Sequence, residues 1–358
     1  MKISSFIIFL LLSSFVFGQE VTVESDSIDS IEDSFITDYK KQLNVKLEAG
    51  NDLTFFNLTE DDVEYRIRPN LSTRYSLVFS YKFLSIKIGF RPPISEEDKT
   101  QRGDTDTFRL SLLLLLENWS HDIAYGYDKG FYLDNTSDFI SPDPGFKIQF
   151  PNLTGHLISG VSVYRFNKNY SIRAVASQTE VQRKSAGSFM PGIAYNFYKI
   201  NGTDELIYNG ENIELRDSYS EYQGFNIAAN AGYFHTFVFG NYWYLNLYGS
   251  LSYGVDFYTR YLYNFDEVDE RIRRSYRDPF GSVSFGGGIG YNGKKVFFGG
   301  KYNELVSNEK FGSNSINLQA VNSVFNVFVG YRFKAPRTVT APVDLIEEKV
   351  PILKDDNR

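Results

Sequence analysis

The chain has 358 residues, no cysteine, 17% aromatic residues and a formal net charge of −7, a length for two soluble domains or one large all-β domain. Zero cysteine excludes a disulfide framework, thiol catalysis and a cysteine-ligated metal. An acidic balance without a basic block argues against nucleic acid as a partner, and a mean hydropathy of −0.30 excludes a polytopic helical membrane protein.

At the N-terminal end, Lys2 precedes an apolar run from Phe6 to Phe17 that closes on Gly18. A basic start, a short apolar core and compact residues at Val16 and Gly18 predict a cleaved secretory signal peptide over residues 1–18. The run is shorter than the about 20 residues that span a bilayer. Residues 19–40 carry Glu24, Asp26, Asp29, Glu32, Asp33 and Asp38 among serines and predict a solvated acidic linker. Residues 334–358 predict a second soluble tail, and both extensions are expected in the periplasm. No stretch between them reaches 18 apolar residues, so the exported chain is expected to be soluble or a barrel.

Residues 41–333 are dominated by period-two alternation, the mark of strands with two unlike faces. From Trp243 the odd positions read Trp, Leu, Leu, Gly, Leu, Tyr, Val, Phe, while the even positions are polar or small. Val283 to Tyr291, Leu71 to Tyr81, Phe225 to Phe239 and Phe325 to Phe333 repeat the pattern. These runs reach the about 9–11 residues that a tilted strand needs to cross a membrane. Aromatics gather near the ends of the apolar rows, as in interfacial girdles, and the polar rows suit a wet lumen. The fold class expected is all-β, a transmembrane antiparallel β-barrel.

Short connections fall at Lys82–Phe83, Glu117–Asn118, Asn167–Lys168–Asn169, Gly240–Asn241 and Asn292–Gly293. Longer polar ones fall at Pro92–Asp106, Asp134–Pro151, Asn264–Asp278 and Ser307–Asn314. Barrels of the bacterial outer membrane keep short turns on the periplasmic side. Counted this way, Phe189–Ile200 descends, and an additional ascending strand is required over Glu205–Arg216 behind the Asn201–Gly202 turn. The total is then 14 strands, or 12 if residues 201–221 are a loop. Phe325, Val327, Val329, Tyr331 and Phe333 resemble the terminal strand that barrel-assembly machinery reads during insertion.

Several strings carry a family resemblance: Arg68-Pro69-Asn70 ahead of a strand, Gly130-Phe131-Tyr132-Leu133, Gln182-Arg183-Lys184-Ser185-Ala186-Gly187-Ser188-Phe189, and Gly232-Tyr233 followed by Thr236-Phe237-Val238. They resemble a family of Bacteroidota outer-membrane proteins known as domain of unknown function 4421, over about residues 38–333 of this chain. Ile67 stands where an aromatic is expected. The resemblance implies location and fold, and it implies no catalytic residue.

Chemistry-bearing residues are sparse. In Ser120-His121-Asp122 the alternation puts His121 on the outward row and its neighbours on the inward one, so the three cannot form a triad. His235 reads as a girdle residue and His156 as a rim residue. Asp122 and Asp128 share an inward row at a separation of about 20 Å, too far for a glycosidase pair. The loop acids Glu96, Glu97, Asp98, Asp104 and Asp106 lack the ordered spacing of a calcium site. No cofactor and no metal are expected. The inward rows hold Lys46, Arg74, Lys87, Arg91, Arg109, Arg173, Lys301 and Arg332 against Glu48, Asp52, Asp122, Asp128 and Asp256. Lys87, Arg91 and Arg109 on adjacent strands are read as a basic stripe that favours anions, set against cross-strand pairing that braces a closed lumen. Lys184, Ser185, Ala186, Gly187 and Ser188 are expected as a tight loop at the outer rim.

The function expected is passage or binding of small polar solutes through a partly occluded lumen in the outer membrane of a Gram-negative bacterium. The alternatives are a structural or envelope-assembly barrel with periplasmic partners and, third, a lipid-modifying enzyme. Outer-membrane lipid and the assembly machinery are the partners implied.

Overall fold

In the computed structural model the described residues are 34–350, apart from 52–55, 61–62, 72, 142, 203–205, 214–218, 264–270, 308–314 and 318–322, together with 353. The expected signal peptide and the linker up to residue 33 lie outside them.

Among the described residues twelve long strands form one closed antiparallel ring. They are β1 Gln42–Gly50, β2 Arg74–Tyr81, β3 Leu84–Phe90, β4 Asp106–Leu115, β5 Trp119–Leu133, β6 Gln149–Tyr164, β7 Ala186–Asn201, β8 Tyr219–Phe239, β9 Trp243–Tyr263, β10 Arg271–Asn292, β11 Val296–Ser307 and β12 Ser323–Lys334. Each pairs with its successor. The ring closes where Phe328 of β12 faces Glu48 of β1. Closure pairs the edge strands, which hydrocarbon demands of any sheet within it.

One row of every strand faces out. Leu247, Leu251, Ile289 and Val329 are 47%, 63%, 52% and 52% exposed, and comparable apolar side chains circle the wall. A soluble protein does not expose so continuous an apolar surface; a lipid-facing wall must. The terminal row Phe325 to Phe333 belongs to this exterior. The opposite rows, from Asn44, Lys46 and Glu48 round to Phe328 and Arg332, face the lumen.

The strand count is 12 and not 14, for two reasons. Within Glu205–Arg216, Leu206–Tyr208 and Glu211–Ile213 make a small hairpin that touches β6 through Ile207 and Gln149. The turn after Asn167 does not open a barrel strand either. Residues 165–185 leave the wall, forming a short helix Ile172–Ala176 and a strand Glu180–Gln182 that pairs with Ile36–Asp38. Their side chains explain why: Ser171, Gln178 and Thr179 are fully buried polar groups, and such a segment has no apolar row to offer lipid. β7 consequently rises where it was expected to descend. Lys184–Ser188 lies at the end of the barrel that carries the short turns, not at the outer rim. The strand Ile36–Asp38 likewise ends the expected linker five residues early.

The C-terminal tail is not a free extension. Its helix Arg337–Lys349 packs Val343 against Tyr81 and Phe83 at the turn end. Lys82 Nζ donates to Asp344 Oδ1 at 2.7 Å and to Glu347 Oε2 at 2.5 Å.

At the opposite, loop end, Gly130 (φ 85°) breaks the β5–β6 register between Lys129 and Phe131. Beyond it Phe131 and Leu133 enter a buried cluster with Ile67, Ile148, Phe150, Leu153, Ile200 and Tyr222. A Cβ at Gly130 would strike the Asp104 carbonyl. Gly130→Ala is therefore expected to cost about 1–3 kcal/mol, read by urea titration of the barrel refolded in micelles; unchanged stability would contradict this reading of the bulge.

Candidate functional site

A ring of twelve strands is wider than one whose own side chains fill it, and this chain fills its ring with residues 165–185. The segment is tied to the wall on several sides. Asn44 of β1 donates to Ser177 O (3.0 Å), and Lys46 Nζ donates to Ala176 O (3.2 Å) and Gln178 Oε1 (3.1 Å). From β10, Asn292 donates to Ala174 O (3.1 Å) and Glu180 O (3.0 Å). From β9, Asn246 donates to Tyr170 Oη (3.3 Å). Arg332 of β12 donates to Gln178 O (2.5 Å) and Asn292 Oδ1 (2.5 Å) while its guanidinium lies over the Tyr39 and Phe297 rings. The apolar side of the segment, Tyr170 and Ile172, packs on Val163, Met190 and Phe234 of the inner wall. Gln178 sits in the left-handed region (φ 55°), a strain that these bonds hold in place. The result is a plug across the turn end.

Arg173 belongs to this plug and not to a barrel strand. It donates to Lys82 O at 2.6 Å and to Leu115 O, and pairs with Glu180 at 3.6 Å. Its part is to anchor the plug to two turn-end segments, which corrects its placing among the lumen-row bases.

Past the plug the lumen is a charged chamber. Glu48 receives Lys46 at 2.8 Å and Lys87 at 2.8 Å. Lys301 of β11 faces the same space, where the charges of Lys46, Glu48, Lys87 and Asp122 all act on it. Lys46 and Lys301 also approach the Phe328 ring at 5.2 and 5.3 Å. Asp122 is exposed although it points inward, so it borders open lumen. Counted at formal charge, Lys46, Lys87 and Lys301 against Glu48 and Asp122 leave this cluster one positive charge in excess. The facing wall on β8–β11 also carries neutral polar groups, with Asn230, Ser250, Ser284 and Asn303 partly or fully accessible.

The expected basic stripe is present on neighbouring strands but compensated. Lys87 pairs with Glu48, Arg109 bonds Asp128, and Arg91, just beyond β3, pairs with Asp104 at 2.9 Å. Arg74 is inward and buried, beside Gly89, whose missing Cβ makes room for it and Arg109. Lys301 is brought into the Lys87 cluster from across the ring closure, a meeting that alternation within one strand does not reveal. Sequence reasoning also passed over a carboxylate pair nearer the loop end. Asp256 and Asp278 are register partners, and each accepts from a tyrosine at 2.9 Å, Tyr198 and Tyr258 respectively. Over the β5–β8 sector, the apolar cluster around Phe131 and Leu153 covers the chamber.

The histidines lie on outward rows. His121 stacks on Trp119 and its Nδ1 is 2.8 Å from Ser162 Oγ on β6. Its other near register neighbours, Leu114, Ile123 and Gly160, bring no carboxylate or amide to orient the ring. His156 pairs with Tyr125 at 3.0 Å, and His235 stacks beside Tyr233 and Phe237.

The family model of Domain of unknown function (DUF4421) matches residues 25–333. Among solved structures, the outer membrane protease OmpT of Escherichia coli is similar at 10% identity and TM-score 0.33, over 83% of this chain and 96% of that one. LpxR of Salmonella typhimurium is similar at 11% and 0.31, over 81% and 100%. The toluene transporter TodX of Pseudomonas putida is similar at 10% and 0.26, over 82% and 89%. No curated protein matches the chain.

Removing the paired plug bonds of Asn292 should loosen the plug and leave the ring intact. With about 0.5–1.5 kcal/mol per bond, Asn292→Ala is expected to speed amide exchange within residues 172–182 by about tenfold or more. Exchange in β8–β10 should stay as in wild type; equal protection of the plug in both proteins would contradict the tie.

Proposed function

The chain belongs to the DUF4421 family, whose description assigns no activity, and we propose that it is an outer-membrane barrel whose plugged lumen takes up small polar solutes, with a preference for anions. The outward apolar rows support a lipid setting, and the contrast of short turns with long loops supports periplasmic termini. On that orientation the plug and the C-terminal helix face the periplasm, and the terminal row ending at Phe333 faces the assembly machinery.

One observation carries the functional reading: a segment of the chain is wedged inside the turn end and bonded to the wall, while Asp122, Lys87 and Lys301 border accessible lumen beyond it. A freely open pore does not need such a segment. A purely structural barrel does not need a charged, water-bordered chamber, because unpaired charge in an interior is costly. Solute entering from the loop end meets Lys87, Lys301 and Asp122 and stops at the plug, so passage requires the plug to shift. The positive excess of the cluster around Lys87 gives anions the advantage there. A binding or docking role for the turn end has its own support in the C-terminal helix, which leaves Leu345 and Ile346 half exposed.

For the enzyme alternative, His121 and Ser162 lack an orienting third group among their register neighbours, so His121→Ala is expected to leave lipid composition unchanged when the protein is incubated with phospholipid vesicles.

Planar-bilayer recording tests the main reading. Wild type is expected to show brief, rare openings. Replacing residues 169–183 with a Gly/Ser linker should give steady conductance with anion preference, and adding Lys87→Glu with Lys301→Glu should invert that preference. Steady, equal conductance in wild type and the linker variant would contradict the proposal.

A further inference from the structure

β9 and β10 run well past the height of a membrane. Their turn-end aromatic row is marked by Trp243 and Tyr291, which are register partners. At about 3.3 Å per residue and a tilt of about 40°, the strand from Tyr291 to Arg277 rises about 35 Å. The apolar band of a barrel is about 25 Å tall and a bilayer with its headgroups about 40–45 Å thick. Arg277 therefore stands in the headgroup layer at the loop end, and Arg273 about 10 Å higher.

The outward face changes character at this height. Below it the rows are Leu251 with Val283 and Val255 with Pro279; then come Phe257 with Arg277, Thr259 with Ser275, and Tyr261 with Arg273. Arg273, Ser275 and Arg277 are all exposed. The Thr259 and Ser275 hydroxyls are 3.1 Å apart, and Arg273 and Arg277 flank Ser275 on the same row of the strand. Arg277 lies over the Phe257 ring at 5.5 Å from its centroid, which holds its stem against the apolar row. Among the described residues no carboxylate pairs with Arg273 or Arg277. Glu221, in the Tyr261 row of the next strand, pairs with Lys199 at 3.0 Å.

We infer that Arg273, Ser275, Thr259 and Arg277 form a clamp for the phosphate of a phosphorylated lipid headgroup in the leaflet at the loop end. Two guanidiniums supply charge-assisted, bidentate donors, the hydroxyl pair between them supplies neutral donors, and Phe257, Val255 and Tyr253 beneath offer the surface on which acyl chains lie. The inference rests on the outer-membrane reading above, since the height of the patch matters only if the apolar rows sit in lipid.

Native mass spectrometry of the micelle-folded full barrel tests it, with three probes: bis-phosphorylated lipid A, the same lipid stripped of its phosphates, and inorganic phosphate. Wild type is expected to hold the phosphorylated lipid at least about tenfold more tightly than the stripped form, and inorganic phosphate only weakly. The double variant Arg273→Gln with Arg277→Gln should lose that preference while keeping the heat-modifiable gel mobility of a folded barrel. Arg277→Lys should keep part of it. Equal binding of both lipids by folded wild type, an unaffected double variant, or inorganic phosphate bound as tightly as the lipid would each overturn the clamp. Separate insertion into phosphatidylcholine vesicles reports on the barrel reading: insertion without phosphate preference sinks the clamp alone, and failure to insert sinks both.

Discussion

In hydrocarbon a backbone amide or carbonyl without a partner costs several kcal/mol, so a sheet placed there has to close on itself. That requirement links the first and last strands, β1 and β12, and fixes every side chain to one of two environments. Leu47 and Val329 are register partners on the lipid side, and Glu48 and Phe328 are their neighbours on the lumen side. The alternation of residue chemistry along the chain follows from this geometry. So does the need to manage the lumen, because a ring of this size leaves space that its inward side chains do not fill.

The chain manages that space in three layers. At the turn end, Ser171, Gln178 and Thr179 are buried polar residues that would be costly without partners; the carbonyls around them receive Asn44, Lys46, Asn292 and Arg332. In the middle, charges of both signs neutralise one another in part, with Glu48 shared between Lys46 and Lys87. Towards the loops, one sector is sealed by apolar residues turned inward after Gly130. Burial of polar groups is thus concentrated where wall and plug meet, and accessible polar surface is concentrated between the plug and the apolar cover.

Much of this was legible in the sequence because period-two alternation reports a two-faced wall directly. The outward rows, the inward placing of Lys87, Arg109 and Asp122, the outward placing of His121 and the short turns at Lys82 and Gly240 all follow from it. The plug was not legible. Locally, Asn167-Lys168-Asn169 has the composition of a hairpin turn, and nothing within the next residues tells that their partners are Arg332 and Asn292 on distant strands. The same blindness to long-range contacts hid Ser162 beside His121, the Asp256–Asp278 pair and the meeting of Lys301 with Lys87. The hairpin signal at Asn201–Gly202 was read as a membrane strand because turn chemistry fixes a reversal of the chain but not how far the strands after it extend.

Because the chain has no native cysteine, the two faces of the wall can be read one residue at a time in liposomes. Leu247→Cys and Leu251→Cys should resist a membrane-impermeant maleimide, and a bimane attached to them before reconstitution should be quenched by nitroxide-labelled lipid. Ser250→Cys and Ser284→Cys should react with the maleimide and escape the lipid quencher. Alternating protection along β9 is the outcome this structure requires; uniform reactivity of both rows would contradict it.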